Sequence, residues 1–169
     1  MKYVSTRNKS KEFNFTEVFI KGLAEDGGLF VPKKTPKLSN EELLKFKDLN
    51  YKDLAKEIIF LFCEESISKK ELSNIVEKSY SNFKENNVVK ISKLGENKIL
   101  ELYHGPTLAF KDIAMQFIGN LYNYYLKSSE KNINIVVATS GDTGSAAIDA
   151  MKGKDKINIF VLHPNNRVS

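Results

Sequence analysis

The sequence predicts an α/β fold in which a mainly helical N-terminal subdomain, residues 1–87, precedes the start of an open, mostly parallel sheet with helices on both faces, residues 88–169. Three observations lead to it. Apolar residues recur at helical spacing through the first half, for instance Leu54, Ile58, Leu61 and Phe62. After the polar run from Lys84 to Asn87 they gather instead into runs of about five residues, the usual length of a strand. Those runs alternate with helical stretches, giving β-α-β-α-β, the order of a parallel sheet with crossover helices.

Taken in order, an opening segment leads to residues 24–36, where Gly27, Gly28, Pro32 and Pro36 predict a tight turn and an extended connector without helix. Ser39 with Glu42, and Ser68 with Glu71, have the spacing at which a serine hydroxyl and a glutamate carboxylate satisfy free amides, so a helix starts at each. Between them Leu54, Ala55, Ile58, Ile59, Leu61 and Phe62 keep helical spacing, and beyond Ser68 so do Leu72, Ile75, Val76 and Phe83. Strands follow at 98–103, 133–138 and 157–162, with helices at about 111–126 and 143–151. The last two strands are continuous apolar runs, as in a parallel sheet covered on both faces, and right-handed crossovers are the default. The sequence ends seven residues after the third strand, where such a sheet would still have an uncovered edge, so a longer parent protein is expected.

Composition excludes several classes of function. Of 169 residues, 41% are hydrophobic and 28% charged, which is ordinary for a globular chain. The net charge of +5 is spread, with Lys45, Lys47, Lys56 and Lys78 set among Glu41, Glu57, Glu64 and Glu77, so the lysines form a solvated surface and not a nucleic-acid patch. The single cysteine, Cys63, lies in an apolar helical run, which predicts a buried free thiol and a reducing compartment. His104 and His163 have no companion ligands at zinc spacing, and no metal is expected. No segment is apolar for long enough to span a bilayer, and the opening residues, with Lys2, Arg7, Lys9, Lys11 and Glu12, form no apolar run; a cytoplasmic location is expected.

In open α/β sheets ligands collect where strands end and helices begin. The later such junction reads Ala138, Thr139, Ser140, Gly141, Asp142, Thr143, Gly144, Ser145. Its glycines permit close backbone approach, and the free amides of the helix start, with the hydroxyls of Thr139, Ser140 and Thr143, suit a carboxylate or phosphate. The plain alternative is that Asp142 or Thr143 is only a helix cap. Nucleotide hydrolysis is disfavoured, because Ser145 and Ala146 stand where a P-loop needs Lys followed by Ser or Thr. A dinucleotide is disfavoured too, since Gly141 and Gly144 do not supply its glycine triplet.

The earlier junction runs from His104 to Asp112 into an amphipathic helix with the stripe Ala114, Phe117, Ile118, Leu121, Tyr122 and Tyr125. Lys111 falls on that stripe at the first turn. Desolvation and the positive end of the helix dipole both favour its neutral, nucleophilic amine. On position alone, a lysine that snorkels from a helix start is the commoner case. Asp112 reads as a first-turn aspartate that favours the dipole, and His104 reads equally as a loop histidine or a ligand-binding group at the strand end.

These residues also carry a resemblance. HGPTLAFKD, residues 104–112, resembles the cofactor-lysine motif of the threonine synthases, in the tryptophan synthase β-like, fold-type II family of pyridoxal-phosphate enzymes. YVSTRN at 3–8 and GLAEDGGLFVP at 22–32 resemble the N-terminal signature of that family, and ATSGDTGSAA at 138–147 resembles the loop before its second helix.

The resemblance implies threonine biosynthesis: a carbon–oxygen lyase acting on phosphates that converts O-phospho-L-homoserine and water to L-threonine and phosphate. It implies Lys111 as the residue that holds pyridoxal 5'-phosphate as a Schiff base and later shuttles a proton. Phe110 would pack near the cofactor ring and Asp142 near its phenolic oxygen. Thr139, Ser140, Gly141 and Thr143 would contact the substrate carboxylate or the cofactor, with His104 beside them. Ser5, Thr6 and Arg7 are candidates for the substrate phosphate, since hydroxyls and a guanidinium suit its oxygens.

The family's glycine-rich loop for the cofactor phosphate is absent from these residues, so this chain by itself is expected to be inactive. Rival readings are a serine or threonine dehydratase, a threonine-synthase-like phospho-lyase, and a non-catalytic module that binds anions or partner proteins. The N-terminal signature argues against the dehydratase and less against the synthase-like proteins.

Overall fold

The computed structural model describes residues 1–165. They form two compact units, one of residues 1–74 and a second that begins at Ile75, and the division falls inside a helix, earlier than the change of sequence pattern after Asn87.

The first unit begins with β1 (Tyr3–Ser5), which pairs antiparallel with β2 (Phe30–Pro32) in the register Tyr3 to Pro32 and Ser5 to Phe30. Between the strands lies α1 (Phe15–Lys21), a helix within the opening segment that the sequence analysis does not predict. Its start is a reciprocal box: the Asn14 side chain accepts from the Glu17 amide at 2.9 Å, and the Asn14 amide donates to the Glu17 carboxylate at 2.8 Å. The expected turn follows. Asp26 closes it by accepting from the Gly28 amide and the Ser5 hydroxyl, both at 2.8 Å, and these bonds, the hydroxyl's first, hold its carboxyl below the usual range. A side chain at Gly28 would come within 2.2 Å of Ser5 Oγ, so glycine is obligatory there.

The remaining elements of this unit are α2 (Asn40–Phe46), α3 (Tyr51–Cys63) and the start of α4 (Lys69–Tyr80). Both predicted serine–glutamate boxes are present: the Glu42 amide donates to Ser39 Oγ at 3.2 Å and the Glu71 amide to Ser68 Oγ at 3.3 Å. The core contains Tyr3, Val4, Val18, Ile67 and Leu72, with Cys63 only 1% exposed. Burial pushes the Cys63 thiol up to about 12, which leaves it an inert packing group, and it does the same to the Tyr3 phenol, which donates to the Phe62 carbonyl.

In the second unit β3 (Lys90–Leu94) and β4 (Asn97–Glu101) form an antiparallel hairpin, closed at Gly95, whose φ of 60° is the left-handed geometry of a tight hairpin turn. The strand predicted at 98–103 is β4, but its partner is β3 and not the parallel sheet. Alternation of lysines with apolar residues hides β3 from a search for apolar runs. Next come α5 (Asp112–Leu126), β5 (Ile133–Ala138), α6 (Asp142–Met151) and β6 (Ile157–Leu162). As expected, β5 and β6 are parallel and in register from Ile133 opposite Ile157 to Ala138 opposite Leu162.

Helix α6 packs on one face of this pair, and the other face, with Val136, Phe160 and Leu162, is exposed. Asn158 donates to Asn134 across that open face at 2.9 Å.

Helices α5 and α6 meet at close range. A Cβ at Gly119 would stand 2.4 Å from the Ala150 carbonyl oxygen, and Gln116 Nε2 donates to Asp149 Oδ2 at 2.7 Å. The buried face of α5 is therefore Asp112, Gln116, Gly119, Leu121 and Leu126; of the predicted stripe Leu121 lies on it, Phe117, Ile118, Tyr122 and Tyr125 are half-buried, and Ala114 is exposed. Small and polar residues won that face because the neighbouring helix needs a close backbone and a hydrogen bond. No helix among the described residues is long and apolar enough to cross a membrane.

Candidate active site

Both junctions that the sequence singled out lie in the second unit. At the earlier one the chain leaves β4, makes the loop 102–111 and enters α5. A turn bond from the Leu108 amide to the Gly105 carbonyl, 3.2 Å, and a left-handed Leu108, φ 64°, bend it sharply. Lys111 precedes the first residue of α5, is half-buried, and has its Nζ 4.6 Å from the centre of the Phe110 ring. Phe110 itself is 55% exposed, so the two side chains present a flat apolar surface and an amine together. Among the described residues no carboxylate is paired with Lys111 Nζ. An unpaired, half-buried primary amine can condense with a carbonyl carbon.

Asp112 is where sequence reasoning fell short. Its carboxylate is fully buried and accepts from the Thr107 amide at 2.8 Å and the Thr107 hydroxyl at 2.7 Å. His104 is held within its own strand end: its Nε2 lies 2.8 Å from Glu101 Oε2 and its ring 4.7 Å from that of Tyr103. Its hydrogen bond is the leading reason that the Glu101 carboxyl sits below the ordinary range, with the Ser92 hydroxyl second.

At the later junction α6 starts from Gly141 with no side-chain cap, so Asp142 and Thr143 are not the caps of the plain alternative. The Thr139 hydroxyl accepts from the Gly141 amide at 3.4 Å, and Gly144 lies so close to Thr139 that a Cβ would meet its methyl at 2.5 Å. Thr139, Ser140, Gly141, Asp142 and His163 line part of a cavity of about 130 Å³, large enough for a small anion beside uncapped amides. His163 is an addition that its lone position at the end of β6 did not reveal.

Ser5, Thr6 and Arg7 belong to the first unit. Ser5 Oγ donates to Asp26, and Thr6 Oγ1 accepts from the Leu29 amide at 3.0 Å. Arg7 spends one guanidinium nitrogen on the Asp26 carbonyl at 3.1 Å. A larger open groove of about 810 Å³, lined by Lys2, Lys33, Lys34 and Lys37 among others, also lies in this unit, but it contains no acid, hydroxyl pair or uncapped helix start arranged for chemistry.

A half-buried amine on an aromatic ring, and an uncapped helix start lined by hydroxyls, fit an aldehyde cofactor bearing an anionic group, with Lys111 as the residue that would hold it. A profile described as Threonine synthase N terminus matches residues 2–80. Over 99% of its length the chain is 45% identical to Threonine synthase of Schizosaccharomyces pombe, of which it covers 34%. It is 40% identical to Threonine synthase-like 2 of Mus musculus, with 100% of the chain and 35% of that protein covered.

Its fold superposes on a PLP-bound threonine synthase from Brucella melitensis with a TM-score of 0.94 at 39% identity, covering 100% of this chain and 37% of that one. The chain thus spans about a third of the length of the curated relatives it matches. In sequence along nearly its whole length and in fold, it corresponds to the N-terminal part of the threonine synthases it matches.

Proposed function

We propose that the protein to which this chain belongs is a pyridoxal-phosphate-dependent threonine synthase, converting O-phospho-L-homoserine and water to L-threonine and phosphate, with its catalytic part beginning near residue 88. The observation that carries the reading is Lys111: half-buried, free of ion pairs among the described residues, and seated over Phe110 at the start of α5. When bound, the cofactor supplies an electron sink for carbanions at the substrate carbons. Lys111 Nζ would hold it covalently and, once displaced by the substrate amine, carry protons between those carbons. Phe110 would exclude water on one side of the amine.

The uncapped start of α6, with Thr139, Ser140, Gly141 and Thr143, would orient the substrate carboxylate or the cofactor through amides and hydroxyls. Asp142 would lie near the phenolic oxygen of the cofactor ring. His104, tied to Glu101, would contribute by shaping the loop beside the site. Of the three candidates for the substrate phosphate, Arg7 is favoured, because its guanidinium gives one nitrogen to the Asp26 carbonyl and keeps further donors, whereas the Ser5 hydroxyl already donates its one proton to Asp26. The chain alone would be inactive, since it carries no glycine-rich loop to grip the cofactor phosphate.

The test is to add pyridoxal phosphate to the full-length gene product and follow both its visible absorbance and phosphate release from phosphohomoserine. Both should be present in the wild type and lost in Lys111→Ala. A wild type without the absorbance change would defeat the reading. The similarity to Threonine synthase-like 2 supports one rival, a phospho-lyase of the same fold; phosphate release without threonine as the product would favour it.

A further inference from the structure

The helix dipole favours an aspartate in the first turn whether or not it is buried, so it does not account for the complete burial of Asp112. Among the described residues no cation pairs with it. Both carboxylate oxygens are instead taken up by one residue, Thr107, through its amide and its hydroxyl. Gly105 lies over the same carboxyl, and a Cβ there would come within 2.5 Å of Asp112 Cβ and Oδ2. The segment is thereby folded back on itself, with the Asp112 amide also donating to the Ala109 carbonyl at 3.0 Å and Leu108 held at φ 64°. Lys111 is the residue next to this clasp, in helical geometry, with φ −61° and ψ −25°.

We infer that Asp112 is a positioning residue for Lys111, fixing the loop that presents the amine by clasping Thr107 beneath Gly105. The inference rests on the role proposed above for Lys111. It assigns the effect to hydrogen-bond acceptance and not to charge, which makes it separable. In Asp112→Asn the amide oxygen can still accept from the Thr107 N–H, while the new NH₂ donates to the Thr107 hydroxyl, which can reverse its role. Asp112→Ala loses both bonds, and Thr107→Val loses one.

The experiment uses the full-length protein and two measurements. Hydrogen exchange at the Thr107 amide, without cofactor, reads the clasp itself: protection should be lost in Asp112→Ala and kept in Asp112→Asn. The rate at which a borohydride-stable adduct forms at Lys111, together with kcat and KM, reads the positioning. In Asp112→Ala adduct formation and kcat should fall by about 100-fold, the scale of a misplacement near 1 Å, with KM changed by less than about threefold. Asp112→Asn should stay within about tenfold of wild type.

Should Asp112→Ala fail to fold, Thr107→Val carries the test and should show an intermediate loss. The inference is overturned if the exchange protection is lost while adduct formation keeps its wild-type rate, or if Asp112→Asn is as impaired as Asp112→Ala. Neither outcome touches the assignment of Lys111. A wild type that forms no adduct at Lys111 overturns that assignment and the positioning role with it.

Discussion

The starts of α5 and α6 are both strand-to-helix junctions rich in small residues, yet they are built on opposite plans. The first is closed on itself: a buried carboxylate takes up a threonine amide and hydroxyl within its own loop. Neither helix has a side-chain cap, but the second start is left open, with glycine at the cap position and a cavity of about 130 Å³ at its mouth. A helix start whose first amides are taken up within its own loop, as those of Asp112 and Ile113 are by the Ala109 and Phe110 carbonyls, gives a rigid platform for one side chain, whereas one that leaves them free offers them to a ligand. Under the proposed function, that difference would suit an amine to be aimed at one end and an anion to come and go at the other.

Substitutions at paired positions should expose this asymmetry. The largest effect is expected for Gly105→Ala, because the added carbon meets a fully buried, doubly bonded carboxyl with nowhere to move; about 3 kcal/mol should be lost in urea unfolding. Asp112→Ala should cost about 2–3 kcal/mol by leaving two donors of Thr107 without an acceptor. Gly144→Ala, the open junction's counterpart, should cost only about 1 kcal/mol, since the carbon it meets is the methyl of a half-exposed Thr139 that can rotate. Asp142→Ala should change stability by less than about 0.5 kcal/mol, its side chain being exposed. Equal costs at the two junctions would remove the distinction.

The smallest expected effect concerns pH. Glu101 is held below its ordinary value of 4.5 by His104 and its neighbours. A depressed carboxyl contributes stability that is fully present above the unfolded value and is lost as pH falls through the lower, folded one. Below pH 4.5 the melting temperature of the wild type should therefore fall slightly more steeply than that of Glu101→Gln; parallel slopes would show that the bond to His104 does not reach the folded-state equilibrium.

Much of this was readable from sequence where the signal is short-range. Ser39 with Glu42, Ser68 with Glu71, and the strands 133–138 and 157–162 depend on neighbours within a few positions, and all appear where expected. The box at Asn14 and Glu17 carries the same signal with asparagine in place of serine, and it marks the helix that was missed. The partner of β4 was harder, because strand pairing is decided by a glycine turn between lysine-rich segments. Asp112 was illegible for a deeper reason: nothing in the string HGPTLAFKD says that Gly105 and Thr107 fold back onto it. The motif located the candidate amine, and three-dimensional closure was needed to say how it is held. For α5 the apolar stripe shares only Leu121 with the fully buried face, since a search for apolar periodicity passes over Gln116 and Gly119, the residues that make the contact with α6.

That contact has a consequence for how the two junctions tolerate change. With the backbone of Gly119 against the Ala150 carbonyl and Gln116 bonded to Asp149, the two helices cannot slide past one another without breaking both links. They behave as a single strut whose ends carry the amine and the open amides. Loops at those ends can drift in sequence, and a selection for function would still find position 119 occupied by glycine alone, because one methyl group there pries apart the two halves of the strut.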